Sequence, residues 1–127
     1  MTEVHEHRLR VRYCETDQMG VAHHGSFIDW LEEARTEWLR ACGKSYREWE
    51  KEGTQLQVVD LGVRYLRPAL YDDLLCLQTS VRERGQASIT LSYEVVRVED
   101  GEVLAQGETK LACIGKDGKL QRLPAGM

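Results

Sequence analysis

One stretch of this chain has the period of a long helix and five others alternate like strands, so a single helix has to cover the apolar face of a whole sheet. Phe27, Leu31, Ala34, Trp38 and Cys42 recur at spacings of four, three, four and four, and Ile28 and Leu39 widen the same stripe. That is an amphipathic helix with one face turned to a core. Ser26 with Asp29 three residues on marks an N-cap, Asp standing where a capping box prefers Glu, and Gly43 supplies the C-terminal stop. The segment "SYREWEKEG" predicts a short second helix ending at Gly53.

"HRLRVRYCE" sets Leu9, Val11 and Tyr13 against Arg8, Arg10 and Arg12. "LQVVDLGVRYLRP" puts Val59, Leu61, Val63 and Tyr65 on one face, and "DLLCLQTSVRERG" does the same with Leu75, Leu77 and Val81. "ASITLSYEVVRV" alternates Ile89, Leu91, Tyr93 and Val95 with polar neighbours, and "EVLAQGETKLACIG" carries Gly107 inside a strand, which predicts a bend or a close backbone approach. Gly85, Asp100-Gly101 and Asp117-Gly118 are hairpin chemistry, and Pro68 with Asp72-Asp73 marks a further turn. The expectation is an α+β fold, a five-stranded antiparallel sheet wrapped around one long central helix.

A chain of 127 residues suits a single domain, 1–127, and buries roughly two thirds of its unfolded surface. Its 42% hydrophobic and 30% charged residues are those of a globular protein, not a disordered one. Neither half carries a basic excess, which argues against nucleic acid as partner. No apolar run reaches the ~20 residues that cross a bilayer, and "MTEVHEHRLR" lacks an apolar signal core, so a cytoplasmic protein without membrane insertion is expected. Cys14, Cys42, Cys76 and Cys113 sit singly, with no CxxC pair, and predict reduced and mainly buried thiols, not a zinc or redox site.

Directly before the long helix stands "CETDQMGVAHHGSF". On residue types alone, Asp17 is either a reactive carboxylate facing a helix N-terminus or a solvated turn acid. His23 and His24 are either surface imidazoles or site residues, and neither they nor His5 and His7 have the spacing of a metal set. Cys14 lacks an evident partner base, and Glu32 and Glu33 read as a solvated helix face.

Taken together, "VRYCETDQMGVAHHGSFIDWLEEARTEWLR", through Tyr13, Thr16, Asp17, Gly20, Val21, His24 and Ala34 to Leu39, and the corner "YLRPALYDDLL" resemble the 4-hydroxybenzoyl-CoA thioesterase-like family of hotdog-fold acyl-CoA thioesterases. Ser26 and Phe27 stand where that family usually has Asn and Tyr. The resemblance implies hydrolysis of an acyl-CoA thioester to free acid and CoA, with Asp17 as nucleophile or general base. It implies that the backbone N–H of His24, with Gly25 assisting, forms the oxyanion hole. Gly20, His23, Gly25 and Ser26 would shape the substrate side. CoA phosphates would meet one or two residues of a basic rim comprising Arg64, Arg67, Arg82, Arg84, Lys110 and Lys116, with Arg64 and Arg84 the first candidates. No metal or other cofactor is expected, CoA being part of the substrate. The resemblance also implies a homo-oligomer, a dimer of dimers with shared sites. Two rivals remain open at this stage: a hotdog enoyl-CoA hydratase or dehydratase using His24 with Asp17, and an acyl-thioester binding module without turnover.

Overall fold

The computed structural model describes residues 3–127. Strand β1 (Val4–Arg10) leads through a 3-10 turn (Tyr13–Glu15) to helix α1 (His24–Ala41) and the short α2 (Tyr46–Lys51). Four strands follow: β2 (Gln55–Tyr65), β3 (Leu74–Arg84), β4 (Ser88–Arg97) and β5 (Val103–Ile114). All pairings are antiparallel and the spatial order is β1-β3-β4-β5-β2, so β1 and β2 are the two edges. The expected sheet around one long helix is what forms.

Alternation explains the centre of the sheet. Ile89, Leu91, Tyr93 and Val95 of β4 are buried, as are Leu75 and Leu77 of β3 and Leu111 of β5, together with Phe27, Trp30, Leu31, Ala34, Trp38 and Leu39 of α1. Each large apolar side chain removed from water in this way contributes roughly 1.5–3 kcal/mol. Gly107 sets how closely the helix lies on β5. A Cβ there would stand 2.7 Å from Leu31 Cδ1, so the mid-strand glycine is a close approach, as expected.

Several boundaries differ from the sequence reading. β1 starts at Val4 and half-buries His5, His7 and Leu9, then ends at Arg10, where β3 begins opposite it at Leu74. Val11 is still buried, clasped to the turn by its bonds with Asp73 O and Asp72 N, but Tyr13 has left the strand and is 77% exposed. On β2 a bulge between Val58 and Asp60 shifts the register, so Val58, not Val59, shares the helix-side face with Leu61, Val63 and Tyr65. Ile28 lies 39% exposed beside the stripe, whereas Trp30 takes its place in the core at 2% exposure.

Helix α1 begins at His24, three residues before Phe27, and Ser26 is not its cap. His23 is, because its extended backbone lets Nδ1 reach forward to accept from the N–H of Gly25 at 3.0 Å. Ser26 sits inside the first turn and donates instead to the carbonyl of Glu15. Gly43 follows the other end with φ of 119°, and Ser45 with Glu48 makes a complete capping box for α2. The four thiols are all unpaired: Cys76 and Cys113 are buried, Cys42 half-buried and Cys14 exposed. Burial pushes the Cys42, Cys76 and Cys113 thiols up from their ordinary value. No helix among the described residues is long and apolar enough to cross a membrane.

Candidate active site

The loop between β1 and α1 folds on itself before it reaches the helix. The N–H of Asp17 donates to Val21 O at 2.9 Å, that of Gly20 to Asp17 O at 3.0 Å, and that of Met19 to the Asp17 carboxylate at 2.8 Å. Closing so tight a turn requires φ of 78° at Gly20, a conformation glycine adopts without a Cβ penalty. Ala22 N–H then donates to Ala69 O, and Val21 bridges Leu70, which ties the loop to the segment that follows β2. The result presents the exposed Asp17 carboxylate beside the start of α1.

A cleft of about 400 Å³ opens there, and both Asp17 and His24 line it with Phe27, Tyr65, Leu66 and Arg67. Strand β2 supplies Tyr65, whose hydroxyl donates to the carbonyl of His24 at 2.8 Å and whose ring meets Phe27 edge to face, centroids 5.2 Å apart. The first turn of α1 holds no acidic side chain of its own, so the partial positive charge of its N-terminus is left to face the cleft and Asp17. As the first helical residue, His24 has no earlier helical carbonyl for its N–H. The N–H of Gly25 is engaged by His23 Nδ1 and that of Ser26 by His23 O, so Gly25 is not the open donor expected of it. The His23 and His24 rings stack with centroids 4.1 Å apart.

Glu15 organises this end of the molecule although nothing in the sequence reading drew attention to it. Its backbone carbonyl accepts from His23 N–H and Ser26 Oγ, and its carboxylate accepts from the indole N–H of Trp30 at 2.9 Å. A tryptophan next to the apolar stripe was the available signal, since a buried indole N–H needs an acceptor. Tyr65 was legible as an apolar strand residue but not as a partner of the helix carbonyl.

Of the residues expected at the site, Asp17, Gly20, His23, His24, Gly25 and Ser26 come together around the loop and the first turn. Arg64 and Arg84 do not join them within one chain. Arg64 alternates with Tyr65 and therefore points to the outer face of the sheet, into a broad depression of about 660 Å³ shared with Gln78, Ser92, Glu94 and Glu108. Arg84 ends β3 near Cys42, about the whole ~27 Å length of α1 away. Arg67 is the basic residue that lines the cleft. Glu33, expected on a solvated face, is about half exposed and bonds His7 Nε2 at 2.5 Å. Among the described residues no three His, Cys, Asp or Glu side chains gather as a metal set.

The chain matches the family model described as the thioesterase superfamily over residues 19–104. It is 32% identical over 106 residues to the acyl-CoA thioester hydrolase YbgC of Escherichia coli, covering 84% of this chain and 78% of that protein. Among solved structures, a DHNA-CoA thioesterase from Staphylococcus aureus superimposes with a TM-score of 0.89 at 35% identity, covering 94% of this chain and 80% of the other. A hypothetical protein from Aquifex aeolicus gives a TM-score of 0.90 at 29% identity, covering 94% and 93%.

Proposed function

This chain belongs to the thioesterase superfamily as a hotdog-fold thioester hydrolase, and from that premise we propose that Asp17 drives hydrolysis of an acyl-CoA thioester against the N-terminus of α1. The observation that carries this reading is the shared cleft: the Asp17 carboxylate and the first residue of the helix, His24, line one opening. The thioester carbonyl lies with its oxygen toward the His24 N–H and the positive end of the helix. As the carbonyl carbon becomes tetrahedral, the charge that grows on that oxygen is stabilised there. One well-aimed donor of this kind is worth roughly 3–4 kcal/mol in the transition state.

Asp17 acts in one of two ways. Its carboxylate attacks the carbonyl carbon directly, expelling CoA as thiolate and leaving a mixed anhydride that water then opens. Alternatively it takes a proton from a water that attacks in its place. A thiolate departs without prior protonation, because it is a far weaker base than an alkoxide, so neither route requires a separate general acid. Tyr65 holds the first helical turn through the His24 carbonyl, and Phe27 forms an aromatic wall. That wall, with a DHNA-CoA thioesterase 35% identical to this chain, makes aromatic acyl groups the first to assay. Arg67 is the first candidate for a CoA phosphate; Arg64 and Arg84 take part only if a second copy brings them to the cleft.

We further propose a homodimer through β2, pairing into a dimer of dimers. Support comes from the edge itself: eleven residues with no proline or lysine, exposing Val58, Val59 and Leu61, which is the kind of edge that pairs with another strand.

The test is thiol release across a panel of acyl-CoA thioesters by the parent and by Asp17→Asn, which keeps the shape and loses the charge. Turnover by Asp17→Asn is expected to fall by ~10² to 10⁴ with binding retained. Parental turnover by Asp17→Asn would remove the carboxylate from the mechanism.

A further inference from the structure

We infer that Glu15 is a positioning residue for this reaction, fixing the loop that carries Asp17 at a set distance from the first turn of α1. Glu15 is an acid with its side chain only 10% exposed, and both ends of the residue are bonded to the same helix. Its Oε2 accepts from Trp30 Nε1 at 2.9 Å and from the Arg12 guanidinium at 3.3 Å, and its Oε1 accepts from Arg12 N–H at 2.7 Å. Its backbone carbonyl accepts from His23 N–H at 2.8 Å and from Ser26 Oγ at 2.9 Å. Three of these five donors, on His23, Ser26 and Trp30, belong to the cap and the first two turns of α1.

Trp30 is the fixed point of this arrangement. It is 2% exposed and packs against Phe27, with ring centroids 4.7 Å apart, so its N–H has no freedom to follow a displaced carboxylate. Between Glu15 and Asp17 stands only Thr16, itself tied by its hydroxyl to Tyr13 O at 2.7 Å and bridged to Ala22. A shift of Glu15 therefore passes to Asp17 with little slack. The helix N-terminus has further anchors that do not involve the Glu15 carboxylate, the Tyr65 hydroxyl and the packing of Leu31 on β5, and so follows a displaced Glu15 less than Asp17 does. Losing the Glu15 anchor thus changes the separation between the reacting carboxylate and the donor for the carbonyl oxygen, and displacements of about 1 Å in such pairs can cost ~10²-fold in rate.

The inference rests on the reading of Asp17 as the reacting carboxylate, and the experiment separates the two. Glu15→Gln keeps the size but offers one acceptor oxygen where the carboxylate uses two. Trp30→Phe deletes the indole N–H and leaves Glu15 intact. These variants, their double, Asp17→Asn and Ser45→Ala are compared for kcat, KM and melting temperature with the best acyl-CoA of the panel. Ser45→Ala, which breaks the distant cap of α2, is the control for lost stability alone. Each single site variant is expected to lose about 10- to 100-fold in kcat with KM within about threefold, as a misplacement of reacting groups does. The double is expected to lose no more than the worse single, because both cut the same tether, and Ser45→Ala to melt lower at parental kcat. Parental kcat in either folded single variant, or losses that multiply in the double, overturns the inference. Should Glu15→Gln fail to fold, Trp30→Phe decides by the same criterion. If Asp17→Asn retains parental turnover, the reading of the carboxylate falls and takes the inference with it.

Discussion

The Tyr65 hydroxyl shows how a single residue can serve fold and site together. It closes on the carbonyl of His24 at 2.8 Å while its ring backs Phe27, so a strand residue steadies the first turn of the helix. Tyr65→Phe keeps the ring contact and removes only the donor. Its stability is expected to drop by about 1 kcal/mol, the usual net worth of one such bond, and its kcat to drop more than its KM rises. Denaturant titration and thiol-release kinetics check the two parts. Ser26 has an effect of similar size for a different reason from the one its sequence context suggests. Ser26→Ala loses a bond to Glu15 O, whereas His23→Ala loses the cap itself, and each is expected to cost about 1 kcal/mol. The two routes differ in their rescue: His23→Asn, which restores a capping acceptor, is expected to recover the melting temperature lost in His23→Ala.

At the scale of elements, contact between helix and sheet depends on a side chain that is missing. Gly107 faces Leu31, and Leu31 is buried to 1% exposure with nowhere to withdraw. Gly107→Ala is expected to cost roughly 1–3 kcal/mol by overpacking, and Gly107→Ala in a Leu31→Ala background to cost less than the sum of the two. Chemical denaturation of the four proteins checks this coupling. The β4–β5 hairpin offers a pH test. Arg97 and the N–H of Glu102 both bond the Asp100 carboxylate and hold it below the usual carboxylate range. A carboxyl lowered in the folded state stabilises above its unfolded value and loses that effect as pH falls through its folded one. The melting-temperature gap between parent and Asp100→Asn is therefore expected to be widest near pH 7 and to close below about pH 4.

For the molecule as a whole, β2 is the longer of the two sheet edges that a lone chain leaves unpaired. If the proposed dimer pairs the two β2 strands antiparallel about an axis at Gly62, Asp60 of each copy lies opposite Arg64 of the other. Asp60→Arg and Arg64→Asp are each expected to shift the assembly toward monomer, since like charges then face each other, and the double exchange to restore it. Light scattering on the three variants checks the register. A parent that is monomeric at working concentration with full activity would remove the proposed dimer.

Wherever a pattern is local and repeats, the chain is legible without its structure. The run Ile89, Leu91, Tyr93 and Val95 has period two, and Leu31, Ala34 and Trp38 stay on one helical face, because strand and helix geometry place side chains by neighbour counting alone. The turn before the helix was legible from its glycine, but residue types alone left Asp17 and His24 open, and it was the family resemblance that singled them out. What the tertiary structure decided depends on atoms distant in sequence. The bulge at Val59 follows from pairing β2 with β5, and it reverses which valine faces the helix. The cap passed from Ser26 to His23 because the helix starts at His24, which leaves Ser26 inside the first turn with its hydroxyl on Glu15 O. Arg64 went to the outer face because its neighbour Tyr65 went to the helix, and Arg67, three residues on, reached the cleft. Glu15 acquired its role only when the fold brought Trp30 to it, a pairing fifteen residues apart that neither propensity nor periodicity encodes.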